Sequence, residues 1–351
     1  MRTKEPVNEV LSVRHAPSTL VFITTYKCTA SCKNCCFGCT PAQPLGDNIG
    51  KMTDIMDAVK ARFPSVKLVV FTGGECFLLG KALDQAVSHA KRLGFLTRCV
   101  TNGFWAKTPD IALKRVRELR AAGLTEINFS AGFAHQEFVH SESVLNGAIS
   151  AAKEGMVAIV SVENRTAGEK RGEALSRHPL MARFNAEHPE RSGLLRVMET
   201  VWVSETPFGG GERTNSRPCD NILDSLVITP DMKLKSCCGL SVNSIPEMSM
   251  GCVSAENIRT KHAEQFDDFL KIWLKVDGPE SIIKYVRSRR EVPGPASFSH
   301  PCQACGFMYS SPEIRSYIRE HFQEKMADVL FRFSAVKEVT GRVNSLIGYG
   351  A

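Results

Sequence analysis

The sequence predicts an α/β protein, and three observations carry that expectation. From residue 19 to about residue 203, short apolar runs alternate with amphipathic helical patterns, as repeated βα units do. The runs are rich in Val, Ile, Leu and Phe, the composition of strands buried on both faces of a parallel sheet. A break at Pro207-Phe-Gly-Gly-Gly-Glu-Arg-Thr-Asn-Ser-Arg-Pro218 then ends the alternation. Six such units make either a partial (β/α)6 barrel or an open doubly wound sheet, and periodicity does not separate the two.

Residues 1–18 form a short extension that begins Met-Arg-Thr-Lys-Glu-Pro and lacks an apolar run, so no signal peptide is expected. Strands are expected at Thr19–Thr24, Lys67–Thr72, Leu96–Thr101, Glu126–Ser130, Met156–Val162 and Leu194–Val203. Between them lie helices such as Lys81–Leu93 and Pro109–Ala122, the latter stopped by Gly123. Residues 19–206 thus read as the sheet domain and 207–218 as a linker. Its three glycines have no Lys-Ser/Thr pair to complete a phosphate cradle, so they read as a hinge. Beyond it, Leu226–Lys235 reads as a small hairpin around Pro230-Asp231. Ala263–Val276 and Pro312–Arg332 are the clearest later helices. Residues 219–310 are expected to form a small second domain and 311–351 a helical tail.

Composition narrows the class. The chain has 351 residues, 43% hydrophobic and 23% charged, enough for one large core and a smaller one. No stretch is long and apolar enough to span a bilayer. The net charge of +7 is spread out and forms no aromatic-interleaved stripe, so neither a membrane nor a nucleic acid is an expected partner. Thirteen cysteines without a secretory signal point to metal ligands in a reducing cytoplasm rather than to disulfides.

Two groups of cysteines carry the chemistry. Cys28, Cys32 and Cys35 lie in one short run directly after the first strand. A structural zinc site wants four ligands, and an iron–sulfur cube is usually held by four thiolates. Three thiolates from one loop therefore suit a cube with one iron left open, the plain alternatives being a zinc knuckle or buried thiols. At the end of the second strand, Thr72-Gly-Gly-Glu75 combines a backbone that a ligand can approach with the acceptor Glu75. Asn102 and Ser130 end later strands, where ligands of barrels are met. Past the break, Cys219, Cys237, Cys302 and Cys305 offer four thiolates, the last two spaced C-x2-C in an expected loop. Spacing alone allows zinc or an iron–sulfur cluster there. Cys238 is surplus to a four-thiolate site.

The C-x3-C-x2-C loop resembles that of the radical S-adenosylmethionine (SAM) enzymes, and Gly-Gly-Glu one strand later strengthens the likeness. The resemblance implies the partial barrel. It also implies a [4Fe–4S] cluster on Cys28, Cys32 and Cys35 whose open iron chelates SAM. Gly73, Gly74 and Glu75 would then bind the SAM amino group, and Asn102 and Ser130 its carboxylate or ribose. The later cysteines resemble the Twitch module, a shortened SPASM domain, which implies a second [4Fe–4S] cluster on Cys219, Cys237, Cys302 and Cys305. Cys35-Cys-Phe37, Thr101-Asn-Gly-Phe-Trp105, His135-x-x-Phe-Val139, Ser236-Cys-Cys238 and Cys302-x-x-Cys-Gly306 are similar to motifs of the radical SAM peptide epimerases of the epipeptide class.

That narrower likeness implies inversion of Cα centres, L to D, in a ribosomally made peptide. Cys238 would return the hydrogen, and an electron donor such as flavodoxin or ferredoxin would reduce the first cluster. Oxidation or epimerisation of a sugar or aminocyclitol and peptide crosslinking use the same parts. A non-enzymatic iron–sulfur or zinc sensor is the other class. The first eighteen residues are too short for an added peptide-recognition domain, which weakens a peptide substrate. The chain also departs from the family pattern. Asn34 stands where an aromatic residue is frequent, Cys76 replaces the usual proline and puts a thiol near the SAM segment, and Gly132 replaces an acidic residue expected shortly before His135. Cys36 and Cys39 have no assigned role, and Cys99 and Cys252 read as core thiols.

Overall fold

The computed structural model describes residues 15–46, 48–166, 168–201 and 216–346. Most of the expected extension (1–14), the end of the sixth expected strand (202–203), linker residues 207–215 and the last five residues lie outside them. Six strands carry the first region: β1 (Thr19–Ile23), β2 (Leu68–Thr72), β3 (Leu96–Thr101), β4 (Glu126–Gly132), β5 (Val157–Asn164) and β6 (Leu195–Val201). They are all parallel and lie side by side in chain order. A doubly wound sheet reverses its strand order at a switch point; this one does not. Right-handed crossovers that always step the same way put every helix on one face, so the sheet curls into a partial barrel. Topology thereby decides what periodicity left open.

The outer layer follows the expected pattern. It comprises α1 (Ile49–Arg62), α2 (Lys81–Arg92), α3 (Pro109–Ala122), α4 (Ser141–Lys153), α5 (Arg171–Ser176) and α6 (Pro179–Glu187). Helix α3 shows why the boundaries were readable. Thr108 Oγ1 accepts the Ile111 N–H, Pro109 opens the first turn, and Gly123 closes it at φ 109°. Alternate strand residues, among them Phe22, Phe71, Ile127 and Val160, pack under these helices in the main core. The opposite pleat puts Val21, Ile23, Val70 and Val227 in a small cluster on the inner face.

The hairpin departs from expectation. Strands β7 (Ser225–Ile228) and β8 (Lys233–Lys235) turn at Pro230-Asp231 as read, but β7 also pairs in parallel with β1 from Thr19↔Ser225 to Phe22↔Ile228. The hairpin is therefore part of the barrel sheet. Without it, β1 would be a buried apolar strand with an open edge. A further strand, β9 (Ser249–Cys252), completes a nine-stranded sheet; its short Ser-Met-Gly-Cys text carries no strand signal.

The remainder is helical: α7 (Ile258–Ala263), α8 (Phe269–Arg287), α9 (Pro301–Ser310), α10 (Pro312–His321) and α11 (Gln323–Leu346). The helix expected at 263–276 is interrupted because Asp268 caps a new one, its Oδ1 accepting the Leu270 N–H. α8 is kinked at Gly278-Pro279. The run expected at 312–332 is two helices that meet at Phe322. A second core runs from Ile222 through Trp273 and Met308 to Phe333, across the boundary expected at 310/311. Among the described residues, no helix is long and apolar enough to cross a membrane.

Candidate active site

A cavity of about 440 Å³ opens on the inner face, where the C-terminal ends of the strands converge. Its wall includes Cys28, Cys32, Cys35, Asn102, Ser130 and Cys238. Gly73 and Gly74 also line it. The structure thus brings the first cysteine loop, the Gly-Gly segment, both strand-end residues and the surplus thiol around one space.

The glycines also have a reason within the protein. A Cβ on Gly74 would stand 2.1 Å from the Lys27 carbonyl oxygen, and one on Gly73 2.7 Å from that of Thr25. Their bareness admits the cysteine loop itself, which accepts the Gly74 N–H at Thr25 (2.8 Å) and the Glu75 N–H at Lys27 (2.9 Å). Glu75 is likewise committed within the protein. Its carboxylate is fully buried and accepts from the Phe77 N–H (3.0 Å), the Thr101 hydroxyl (2.8 Å) and the Asn102 N–H (2.8 Å). Within the protein, Glu75 ties the end of β2 to the end of β3. Burial pushes its carboxyl up to about 7, against the pull of the three donors. Asn102 extends the chain of contacts, its Nδ2 donating to Thr29 Oγ1 (2.9 Å).

The first three thiols face one another. Burial raises Cys32 to about 12, with repulsion from Cys35, Glu163 and Cys28 adding to it. Cys35 goes the other way, down to about 5, chiefly because the Cys39 thiol hydrogen-bonds to it. Cys39, which sequence reasoning left without a role, is buried and also donates its N–H to Cys35 Sγ at 3.4 Å. Ala30 N–H donates to Cys28 Sγ at 3.4 Å. Donors aimed at sulfur suit a thiolate that binds metal.

The second set is assembled from three stretches. Cys219 lies before β7, Cys237 and Cys238 follow β8, and Cys302 and Cys305 sit in the first turns of α9 rather than in the expected loop. His300 is the reason: it caps α9, its Nδ1 accepting the Cys302 N–H (3.1 Å), while Gln303 reaches back to the His300 N–H. Burial holds His300 down to about 4, leaving a neutral ring able to accept. Cys237, Cys302 and Cys305 are all raised by burial and by repulsion within the group, which includes Cys219. A Cβ on Gly239 would lie 3.0 Å from Cys302 Sγ and 3.6 Å from Cys237 Sγ, so this residue is bare where the sulfurs converge. Four mutually repelling, poorly hydrated thiols fit a cationic iron–sulfur body. Among the described residues no three side chains close tightly enough for a single metal ion, whereas the ligands of a four-iron cube stand farther apart.

The surplus thiols separate into distinct environments. Cys238 packs on the inner-face cluster and opens on both this cavity and an adjoining one lined by Glu163, Thr200 and Cys302. Burial raises its thiol above the ordinary value. Cys36 is half-buried near Cys35, Cys238 and Cys302, between the two sets. Cys76 lies in the helix-side core with its thiol on the Val100 carbonyl (3.2 Å), so the expected extra thiol at the SAM segment does not reach the cavity. Cys99 is buried as read, but Cys252, read as a core thiol, is exposed on the outermost strand.

Sequence reasoning missed Glu163 and Asn221. Glu163 is the penultimate residue of β5, and a polar residue closing an apolar barrel strand was the available signal.

No family model matches the chain. A stretch of 120 residues, 34% of the chain, is 25% identical to the "putative peptide biosynthesis protein YydG" of Bacillus subtilis (strain 168) and spans 37% of that protein. Among solved structures, anSMEcpe with bound AdoMet, that is SAM, superposes with a TM-score of 0.53 at 11% identity, over 92% of this chain and 98% of that one. Native anSMEcpe with bound AdoMet and the Cp18Cys peptide gives 0.51 at 11% identity, over 89% and 99%. The chain therefore shares the fold of these structures along nearly its whole length.

Proposed function

We propose that the protein is a radical SAM enzyme that inverts Cα centres in a ribosomally made peptide, working in a reducing cytoplasm. The observation that carries the proposal is the position of Cys238, a thiol in the wall of the cavity that also holds Cys28, Cys32 and Cys35. The peptide part is supported by the partial likeness to a peptide biosynthesis protein and by the peptide-bound anSMEcpe structure. Cys28, Cys32 and Cys35 would hold a [4Fe–4S] cluster with SAM on its open iron. Cys219, Cys237, Cys302 and Cys305 would hold a second cluster in a Twitch-like unit. With a ferredoxin or flavodoxin as reductant, the chemistry these groups would supply when bound is abstraction of the substrate Cα hydrogen by a 5′-deoxyadenosyl radical.

The chain's own residues do the rest. Gly73, Gly74, Asn102 and Ser130, which line the cavity, and Glu75 behind them would be the residues that hold SAM. Cys238 breaks its S–H bond and gives the hydrogen atom to the face of the planar carbon opposite the first cysteine loop. The sulfur is left as a thiyl radical, which one electron and one proton from the reductant and water restore. The walls of the partial barrel keep water and oxygen from the radical.

The test uses reconstituted enzyme, SAM and dithionite in deuterium oxide, with peptides encoded by short frames beside the gene. The wild type should place one deuteron at each inverted carbon, because a thiol hydrogen exchanges with water. Cys238→Ala should still form 5′-deoxyadenosine while epimer falls at least about tenfold, the factor that roughly 1.4 kcal/mol of barrier represents. Epimerisation by that variant, or product without solvent deuterium, removes the mechanism in favour of oxidation or crosslinking.

A further inference from the structure

Two buried polar groups of the second core are left over by the protein's own contacts. Tyr309 on α9 is 6% exposed, and its hydroxyl has no hydrogen-bond partner among the described residues. A hydroxyl buried in this way is costly unless something accepts from it. Lys271 on α8 is 2% exposed. Its Nζ lies 3.1 Å from Met250 Sδ, a weak acceptor, and among the described residues no carboxylate pairs with it. A buried amine with only a thioether for company also calls for a stronger acceptor.

Both groups stand beside the second cysteine set. Tyr309 comes four residues after Cys305 on α9, one turn on along the same face. Tyr309 and the thiols of Cys219, Cys237 and Cys305 pack in one core. Lys271 comes three residues before Leu274, whose carbonyl accepts the Cys219 N–H (3.1 Å). Its neighbour Met250 lies in β9, where the Met248 carbonyl accepts the Ser236 N–H (2.9 Å), one position before Cys237. The carboxylates that bear on both groups are Asp268 and Glu247, and each is engaged elsewhere. Asp268 Oδ1 accepts the Leu270 N–H (3.1 Å), and Glu247 pairs with Arg315 (2.7 Å). Burial and these negative neighbours raise Tyr309 well above its ordinary value, so its hydroxyl keeps the proton and is a donor. A lysine amine carries N–H groups whether or not it is charged.

We propose that Tyr309 and Lys271 donate to the sulfurs of the iron–sulfur group held by Cys219, Cys237, Cys302 and Cys305 and thereby raise its reduction potential. The physical reason is charge. Reduction by one electron adds a negative charge to the group, and donors at its sulfurs stabilise the reduced state more than the oxidised one. That electron comes from the ferredoxin- or flavodoxin-type reductant, and no bond forms or breaks on Tyr309 or Lys271. The assignment rests on the second-cluster part of the proposed function. A purely structural pair would fill the core and leave the potential alone.

The midpoint potential is read by electron paramagnetic resonance during dithionite titration of the full chain with Cys28, Cys32 and Cys35 replaced by alanine. Tyr309→Phe, which removes only the oxygen, should shift the ratio of reduced to oxidised cluster at fixed potential about threefold towards oxidised. Lys271→Met, which keeps the length of the side chain, should shift it about tenfold, or about 59 mV for a one-electron couple. 3-Fluorotyrosine at position 309 is a stronger donor of nearly the same shape and should move the midpoint the opposite way. It decides the role of Tyr309 even if Tyr309→Phe loses iron. A midpoint that fluorotyrosine leaves at the parent value overturns that role. An unmoved midpoint in Lys271→Met overturns the role of Lys271, and so does loss of iron there, which would make the lysine a structural prop. A parent protein that holds zinc or no iron at the second site ends the second-cluster reading and this proposal with it. Iron present with unmoved potentials ends the proposal alone.

Discussion

Glu75 shows how much of this site is held by single side chains. Its carboxylate takes three donors from two strand ends, a set that an amide cannot accept without turning an N–H towards another N–H. Glu75→Gln should therefore cost about 1–3 kcal/mol, the penalty of an unsatisfied buried group, in urea unfolding. The pH dependence has a definite sign. A folded pKa near 7, above the ordinary 4.5, means that the folded state binds more protons between those values. The contribution of Glu75 is then complete below pH 4.5 and is lost as pH rises through 7. The stability gap between wild type and Glu75→Gln should narrow over that window; a widening gap would show that the three donors outweigh burial.

At the scale of elements, the turn after β2 and the loop after β1 are one unit, joined through Gly73 and Gly74. Gly74→Ala would push a methyl into the Lys27 carbonyl, at 2.1 Å from its oxygen, with only backbone to give way. Overpacking of this kind costs about 1–3 kcal/mol. Its specific signature should be loss of iron from the first site with the second retained, read by iron analysis and electron paramagnetic resonance. Equal loss from both sites would mean that the change unfolds the sheet rather than the loop. Gly50, in α1 with an ordinary helical backbone and nothing within 4 Å of its ideal Cβ, is the matching position where crowding is absent.

For the whole molecule, the joining of β7 to β1 is the decisive contact. The first cysteine loop leaves the C-terminal end of β1, whereas β8 runs antiparallel to β7 and delivers Cys237 and Cys238 beside the start of β1, so the inner-face cavity spans the space between the two sets. Tyr26 donates to Asp231 Oδ1 (3.2 Å) and Asn48 Nδ2 to the Pro230 carbonyl (2.6 Å), fastening the hairpin turn to the first loop region. Leu226 is fully buried in β7, and Leu226→Ala should cost about 2–5 kcal/mol in thermal or urea unfolding. It should also lower iron at both sites, because both stand on that junction. Replacing Cys28, Cys32 and Cys35 together by alanine should instead leave one cluster. Zinc in the remaining site after anaerobic purification would overturn the second-cluster assignment.

What the sequence determined by itself was local in origin. Apolar runs located β1 to β6 within a residue or two at most ends, Thr108, Pro109 and Gly123 set the limits of α3, and three thiols on one loop announced a metal-binding chemistry. Each depends on neighbours along the chain, so a linear reading suffices. The tertiary structure decided the contacts between segments distant in sequence. Barrel or open sheet depends on which way successive strands step, and the second thiol set depends on α9 meeting the loop after β8. Glu75 could be picked out from the sequence, but its three donors, on a turn and on the next strand, could not. Glu163 carried no signal of its place in the sheet, because Gly132, which it faces across the sheet, lies 31 positions earlier in the chain. Chain distance says little about such pairs, because hydrogen-bonded strands bring together residues that no local pattern connects.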